Sequence, residues 1–133
     1  MNEAAVFSGV LTELEARNYD PLVHVPEAHA ETYADVLDRA EQHRITIRGR
    51  YPDVLGFTET DRVFAVEVKG DTGLLRGMGQ ALTYQRGAHV SYLAAEAAAV
   101  EGHADLLHAK GVGTIGVDDG GVAAWRDPPA AES

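Results

Sequence analysis

Apolar positions along the chain recur with two periods, and the change from one to the other divides it into elements. Val6, Val10, Leu11 and Leu14 fall at helical spacing within residues 2–17, with Glu13 and Glu15 turned outward, which predicts a first helix. Asn18 suits its left-handed end. The stretch between Pro21 and Pro26 predicts a short strand, and Tyr33, Val36, Leu37 and Ala40 stripe a second helix over 28–43. Ile45 to Ile47 reads as a brief strand. A turn over 49–52 leads into a core strand over 53–57, and the polar link 58–62 joins it as an antiparallel hairpin to the strand 63–69. Asp71 or Thr72 is expected to cap a helix over 73–86, whose Gly73, Gly77 and Gly79 imply close packing on a sheet. A strand over 89–95, a helix over 96–110 interrupted near Gly102, and strands over 112–117 and 122–125 complete the pattern.

These elements predict one α/β domain over residues 1–126, a mixed central sheet flanked by helices, with a flexible tail over 127–133. Its organising strand is Val63-Phe64-Ala65-Val66-Glu67-Val68-Lys69. Alternation puts Glu67 and Lys69 on the face of Val63 and Ala65, while Phe64, Val66 and Val68 pack the other way. Charge in an otherwise apolar strand is costly unless it pairs, binds a metal or reaches an open edge.

Composition narrows the classes. A chain of 133 residues, 45% hydrophobic and 24% charged, fits a globular protein with a real core. No apolar run reaches membrane-spanning length, and Met1-Asn2-Glu3-Ala4 lacks the start of a signal peptide, so a cytoplasmic protein is expected. The absence of cysteine excludes disulfides, thiolate zinc sites and iron–sulfur clusters. Against 21 Asp and Glu stand 11 Lys and Arg, of which only Lys69 and Lys110 are lysine, for a net charge of −10. This balance resembles that of proteins from salt-loving archaea. It opposes nucleic-acid binding in general, so any such role must rest on a local site. Arg39, Arg44, Arg48 and Arg50, with His43, form the one basic cluster and are a candidate phosphate patch, although Asp35, Asp38 and Glu41 could equally pair with a helix face there. His103 and His108 lack metal spacing and read as surface residues; Trp125 reads as packing.

Three spaced motifs follow in order. Gly49-Arg50-Tyr51-Pro52-Asp53 fits G-x-h-x-D with h apolar, Glu67-Val68-Lys69 is E-x-K, and Gln80 to Tyr84 is Q-x-x-x-Y, its two named residues on one helix face. With Pro52-Asp53 ahead of Glu67-Val68-Lys69, the chain resembles the PD-(D/E)XK nuclease superfamily. The third motif is similar to its RecB-type branch, and the first helix and strand look like the start of archaeal Holliday-junction resolvases.

The resemblance implies a restriction-endonuclease-like core and a Mg²⁺-dependent nuclease acting on DNA, with Mn²⁺ able to substitute. Asp53, Glu67 and the backbone carbonyl of Val68 would hold the metal, and Lys69 would handle the attacking water or the phosphate. Gln80, Tyr84 and Arg50 would support the site or the substrate. The family often adds an acid from the first helix, here Glu3, Glu13 or Glu15. A homodimer or a partner protein, or the stretch 28–47, would supply selectivity. Two other readings stand beside this one. The first is a member of the fold that binds nucleic acid without cutting; the second is a non-enzymatic acidic interaction or regulatory domain in which Glu67 and Lys69 are a strand-end ion pair and Asp53 caps a turn.

Overall fold

The computed structural model describes residues 1–130. Its first helix, α1 (Glu3–Ala16), starts where the Asn2 side chain accepts from Ala5 N–H at 2.9 Å. It ends, as its sequence implies, before Asn18 at φ 59°. Val6, Phe7, Val10, Leu11 and Leu14 form its buried stripe, each contributing about 2 kcal/mol relative to exposure.

Two short strands follow, β1 (Leu22–Val23) and β2 (Glu41–Gln42), separated by a 3₁₀ turn at Glu27–His29 and a helix α2 (Ala34–Arg39). The expected helix over 28–43 is therefore largely replaced. Tyr33, Val36, Leu37 and Ala40 do pack on the α1 core, but Ala40 is extended and the next residues run parallel to β1. His43 N–H donates to Val23 O at 2.8 Å, so sheet pairing ends the helix early. Ile45 to Ile47 forms no strand; Ile47 pairs only with Arg50, across a tight turn.

The hairpin forms as expected from β3 (Val54–Phe57) and β4 (Val63–Val68), antiparallel with Val54 opposite Val66. Helix α3 (Leu74–Tyr84) then crosses to β5 (Val90–Glu96), which lies parallel to β4. Neither Asp71 nor Thr72 caps α3: Gly73, left-handed at φ 74°, makes the entry without a side-chain bond. The late helix breaks at Gly102 into α4 (Ala97–Glu101) and α5 (Ala104–Ala109), and β6 (Gly113–Asp118) and β7 (Gly121–Arg126) close the chain.

Among the described residues the seven strands form one mixed sheet, ordered β2-β1-β3-β4-β5-β6-β7. The α/β architecture with a mixed central sheet flanked by helices thus stands. Helix α1 packs on one face against Phe64, Val66 and Val68. The other face carries Ala81, Leu93, Val100 and Leu107 in one cluster and Ile47, Leu55, Ala65 and Tyr84 in another. This is the two-faced partition that alternation along β4 requires.

The tail does not begin loose at residue 127. Asp127 accepts from Tyr92 Oη at 2.7 Å and Trp125 Nε1 at 2.8 Å; positions 131–133 of the expected tail lie outside the described residues. Trp125 packs against Tyr92 with Arg17 over its ring at 3.9 Å, a packing residue as expected. No helix among the described residues is long and apolar enough to cross a membrane.

Candidate active site

The register of the β3–β4 hairpin builds the site. Val54 faces Val66, so Asp53, one step earlier, stands opposite Glu67 with its side chain on the same face. The two strands run antiparallel, so the start of β3 and the end of β4 meet at the same end of the sheet. Asp53 Oδ2 accepts from Val68 N–H at 2.7 Å. In an extended strand a residue's N–H and C=O point to the same side, so the Val68 carbonyl also faces Asp53.

Glu67 is 5% exposed and well supplied with donors. Tyr84 Oη donates to its Oε1 at 2.8 Å, and Lys69 Nζ lies 3.5 Å from Oε2. With the Gln80 amide nitrogen toward Glu67, it donates to Oε2 at 2.5 Å, while the Gln80 oxygen accepts from the Arg50 guanidinium. Asp53, Glu67, Lys69, Gln80, Tyr84 and Arg50 are thus brought together, the first two with Gln80, Tyr84 and Arg50 lining one open pocket of about 320 Å³.

Helix α3 lies close enough to hold Lys69 because of Gly77. A Cβ there would meet Lys69 Cγ at 2.7 Å and Leu93 Cδ1 at 3.0 Å. Close packing is therefore the role of Gly77. Gly79 has nothing within 4 Å and takes no part in it.

Electrostatics mark this pocket as costly. Burial first, and then the charge of Glu67, push the Asp53 carboxyl well above the ordinary carboxylate range. Glu67 is also raised, chiefly by burial, although the bonds from Tyr84 and Lys69 act against it. Tyr84 is raised by burial and by the adjoining Glu67, so it stays a neutral donor. Two neighbouring buried carboxyl groups, both with raised proton affinity, favour a cation between them.

The first-helix acids separate. Glu3 accepts from Tyr33 Oη at 2.6 Å, and its charge acts on both Asp53 and Glu67. Glu13 and Glu15 lie near the far end of α1, and Glu15 pairs with Arg39 at 3.0 Å, so neither joins the site. The basic cluster divides too. Arg39 is taken by Glu15 and Asp35, and His43 is buried with Nε2 on Pro52 O at 2.8 Å and Nδ1 accepting from Ile45 N–H. Only Arg50 enters the pocket. His103 and His108, expected at the surface, are both half-buried.

Sequence reasoning missed three residues. His24 N–H donates to Asp53 O at 3.0 Å, its ring stacks on Tyr51 at 4.2 Å, and both side chains line the pocket. His24 Nδ1 is buried without a partner among the described residues. Tyr33 anchors Glu3. A two-residue strand leaves no periodicity from which the neighbours of Asp53 could be found.

Asp53, Glu67 and the Val68 carbonyl are hard oxygen donors that could hold a cation such as Mg²⁺. Among the described residues no three His, Asp or Glu side chains group closely enough to enclose an ion. Two hard carboxylates and a carbonyl at an open pocket fit an ion that keeps much of its water. Asp53 Oδ1 takes no hydrogen bond among the described residues and is available to such an ion.

No protein-family model and no curated protein matches this chain. One solved structure, described as the SPO1766 protein of unknown function from Silicibacter pomeroyi, is similar to it over 99% of this chain and 75% of that one, at 18% identity and a TM-score of 0.63. At that identity the likeness speaks to the fold alone.

Proposed function

We propose that this protein is a Mg²⁺-dependent nuclease that hydrolyses phosphodiester bonds in DNA, on a restriction-endonuclease-like core. The observation that carries the reading is the meeting of Asp53 and Glu67 across one hairpin, with the Lys69 ammonium 3.5 Å from Glu67. Those are the residues of the P-D…E-x-K pattern, and a spacing of fourteen positions becomes direct opposition only in this register.

Each residue has work in that reaction. Asp53, Glu67 and the Val68 carbonyl would hold the ion, which when bound supplies charge for the phosphate and acidifies water. Lys69 orients the water or offsets charge on the phosphate oxygens as it develops. Tyr84 and Gln80 fix the rotamer of Glu67, and Arg50, held by Gln80, is placed to take a phosphate oxygen. Glu3 adds negative charge that acts on Asp53 and Glu67.

The test is incubation with linear and circular, single- and double-stranded DNA, with Mg²⁺ or Mn²⁺, at low and at molar salt. Cleavage that disappears in Lys69→Ala and Asp53→Asn is the expected result. Cleavage that survives both substitutions refutes the assignment, and binding without cleavage in any condition favours the non-cutting reading.

A further inference from the structure

Helices α3, α4 and α5 cover the sheet from β4 to β6, but this layer stops short of β1 and β3. There the face is left to the loop 45–48, and a groove of about 560 Å³ opens over Ile45, Leu55, Phe57 and Val63. Phe57 is 63% exposed and Ile45 53%, large apolar side chains in a chain whose surface is otherwise strongly acidic. The charged residues that line it are Arg48, Arg86 and Asp20. Neither arginine has an ion-pair partner among the described residues, although acids outnumber bases by 21 to 11.

One tight turn joins the two linings: Ile47 and Arg48 border the groove, and Gly49 and Arg50 border the candidate site. The turn from Ile47 to Arg50 is closed by hydrogen bonds of 2.8 and 3.2 Å between those two residues. Its outer residues, Arg48 and Gly49, both have positive φ, 53° and 80°. A non-glycine residue is strained there, yet this conformation sets Arg48 at the groove while Arg50, two residues on, reaches Gln80 in the pocket.

We propose that this groove seats an unpaired nucleic-acid strand and leads it to the site, so that single-stranded DNA, or the frayed end of a duplex, is the substrate class. The inference rests on the nuclease reading for its purpose but not for its test. Guanidinium groups beside an apolar floor match a phosphate backbone with its bases turned in. Paired bases keep their faces inside the stack, so Phe57 and Ile45 offer surface only to unstacked ones. An acidic peptide would find the arginines, but nothing would then account for the line from Arg48 to Arg50 and the pocket.

The experiment is fluorescence anisotropy in EDTA, with the full chain, a labelled twelve-residue oligothymidylate and a hairpin duplex of equal length. The single strand should bind at least tenfold more tightly. Phe57→Ala and Arg86→Ala should each weaken it about fivefold or more, the loss expected of one base-stacking or phosphate contact. Arg48→Gly should weaken it too without lowering the melting temperature. Equal affinity for duplex and single strand overturns the proposal, as do variants that bind like the parent. A change of oligomeric state in Phe57→Ala with oligonucleotide affinity intact also overturns it and assigns the face to a second copy of the chain. Because no cation is present, selective binding can hold even where the cleavage assay shows the nuclease reading to be wrong, and the reverse.

Discussion

Asp53→Asn should make the metal-free protein more stable while abolishing cleavage. On opposite positions of a hairpin the two Cβ atoms stand about 5 Å apart, and two unit charges at a similar separation repel by about 3 kcal/mol at an effective dielectric of about 20. The amide oxygen of Asn can still accept from Val68 N–H, losing the ionic part of that bond, about 1 kcal/mol. A net gain of about 1–2 kcal/mol at pH 8 follows, or about 3–6 °C in melting temperature for a domain of this size.

The pH dependence has a definite sign. Burial raises both carboxyl groups in the folded chain, helped at Asp53 by the charge of Glu67 and at Glu67 by that of Glu3. Folded protein therefore holds protons that unfolded protein has released, and stability falls as pH rises from the ordinary carboxylate range through the raised values. Thermal melts of the parent and Asp53→Asn, at a series of pH values in EDTA and then in Mg²⁺, measure this. The parent should lose stability with rising pH and regain about 2.7 kcal/mol at a hundredfold excess of Mg²⁺ over its dissociation constant. The variant should show a flatter profile and little response to the ion. If Asp53→Asn melts several degrees lower at pH 8 in EDTA, or gains as much from Mg²⁺ as the parent, Asp53 is a structural residue and the argument fails.

Two glycines of α3 should respond in opposite ways. Gly79→Ala, with open space around it, should raise stability by about 1 kcal/mol through helix propensity, whereas Gly77→Ala should lose that gain and lower activity by displacing Lys69; denaturant melts and cleavage rates separate them. Tyr84→Phe removes a donor that holds Glu67 down, so the acid limb of the pH–rate profile should move to higher pH, with a rate loss of about tenfold, and an unmoved limb would count against the bond. Burial lowers the His43 pKa below its ordinary value, so its neutral form stabilises the fold above about pH 6.5 and that contribution is lost as pH falls through the lowered value; the His43 ring protons in an NMR titration should shift only in that more acidic range.

The long elements were legible because each has enough residues to show its period. Strand β4 and helix α1 bury the side chains that alternation and helical spacing select. The hairpin followed from a polar link between two apolar runs, and its register then delivered the opposition of Asp53 and Glu67. The region 27–47 was misread because local spacing there competes with sheet pairing. The stripe of α2 is real, but β2 takes the chain after Arg39, and two-residue strands carry no period. The same limit hid His24 beside Asp53. Charges were read by proximity in sequence, which grouped Arg39 with Arg50; in the fold they serve different surfaces, and Arg86, far along the chain, stands with Arg48 instead.

That regrouping bears on how an acidic protein could hold a polyanion at all. Arg48, Arg50 and Arg86 are three phosphate-contacting candidates. Counterion release for a single strand would then make log affinity fall with log salt at a slope of about −2. The net charge of −10 works in the other direction. Its repulsion acts over a Debye length of about 10 Å at 0.1 M salt and about 3 Å at 1 M, so salt removes it. Stacking on Phe57 is insensitive to both. The measured slope for oligothymidylate should therefore be distinctly shallower than −2, and Arg86→Ala should flatten it further. A slope steeper than −2 would mean that more cations meet the strand than this groove and pocket contain, and would place the nucleic acid on another surface.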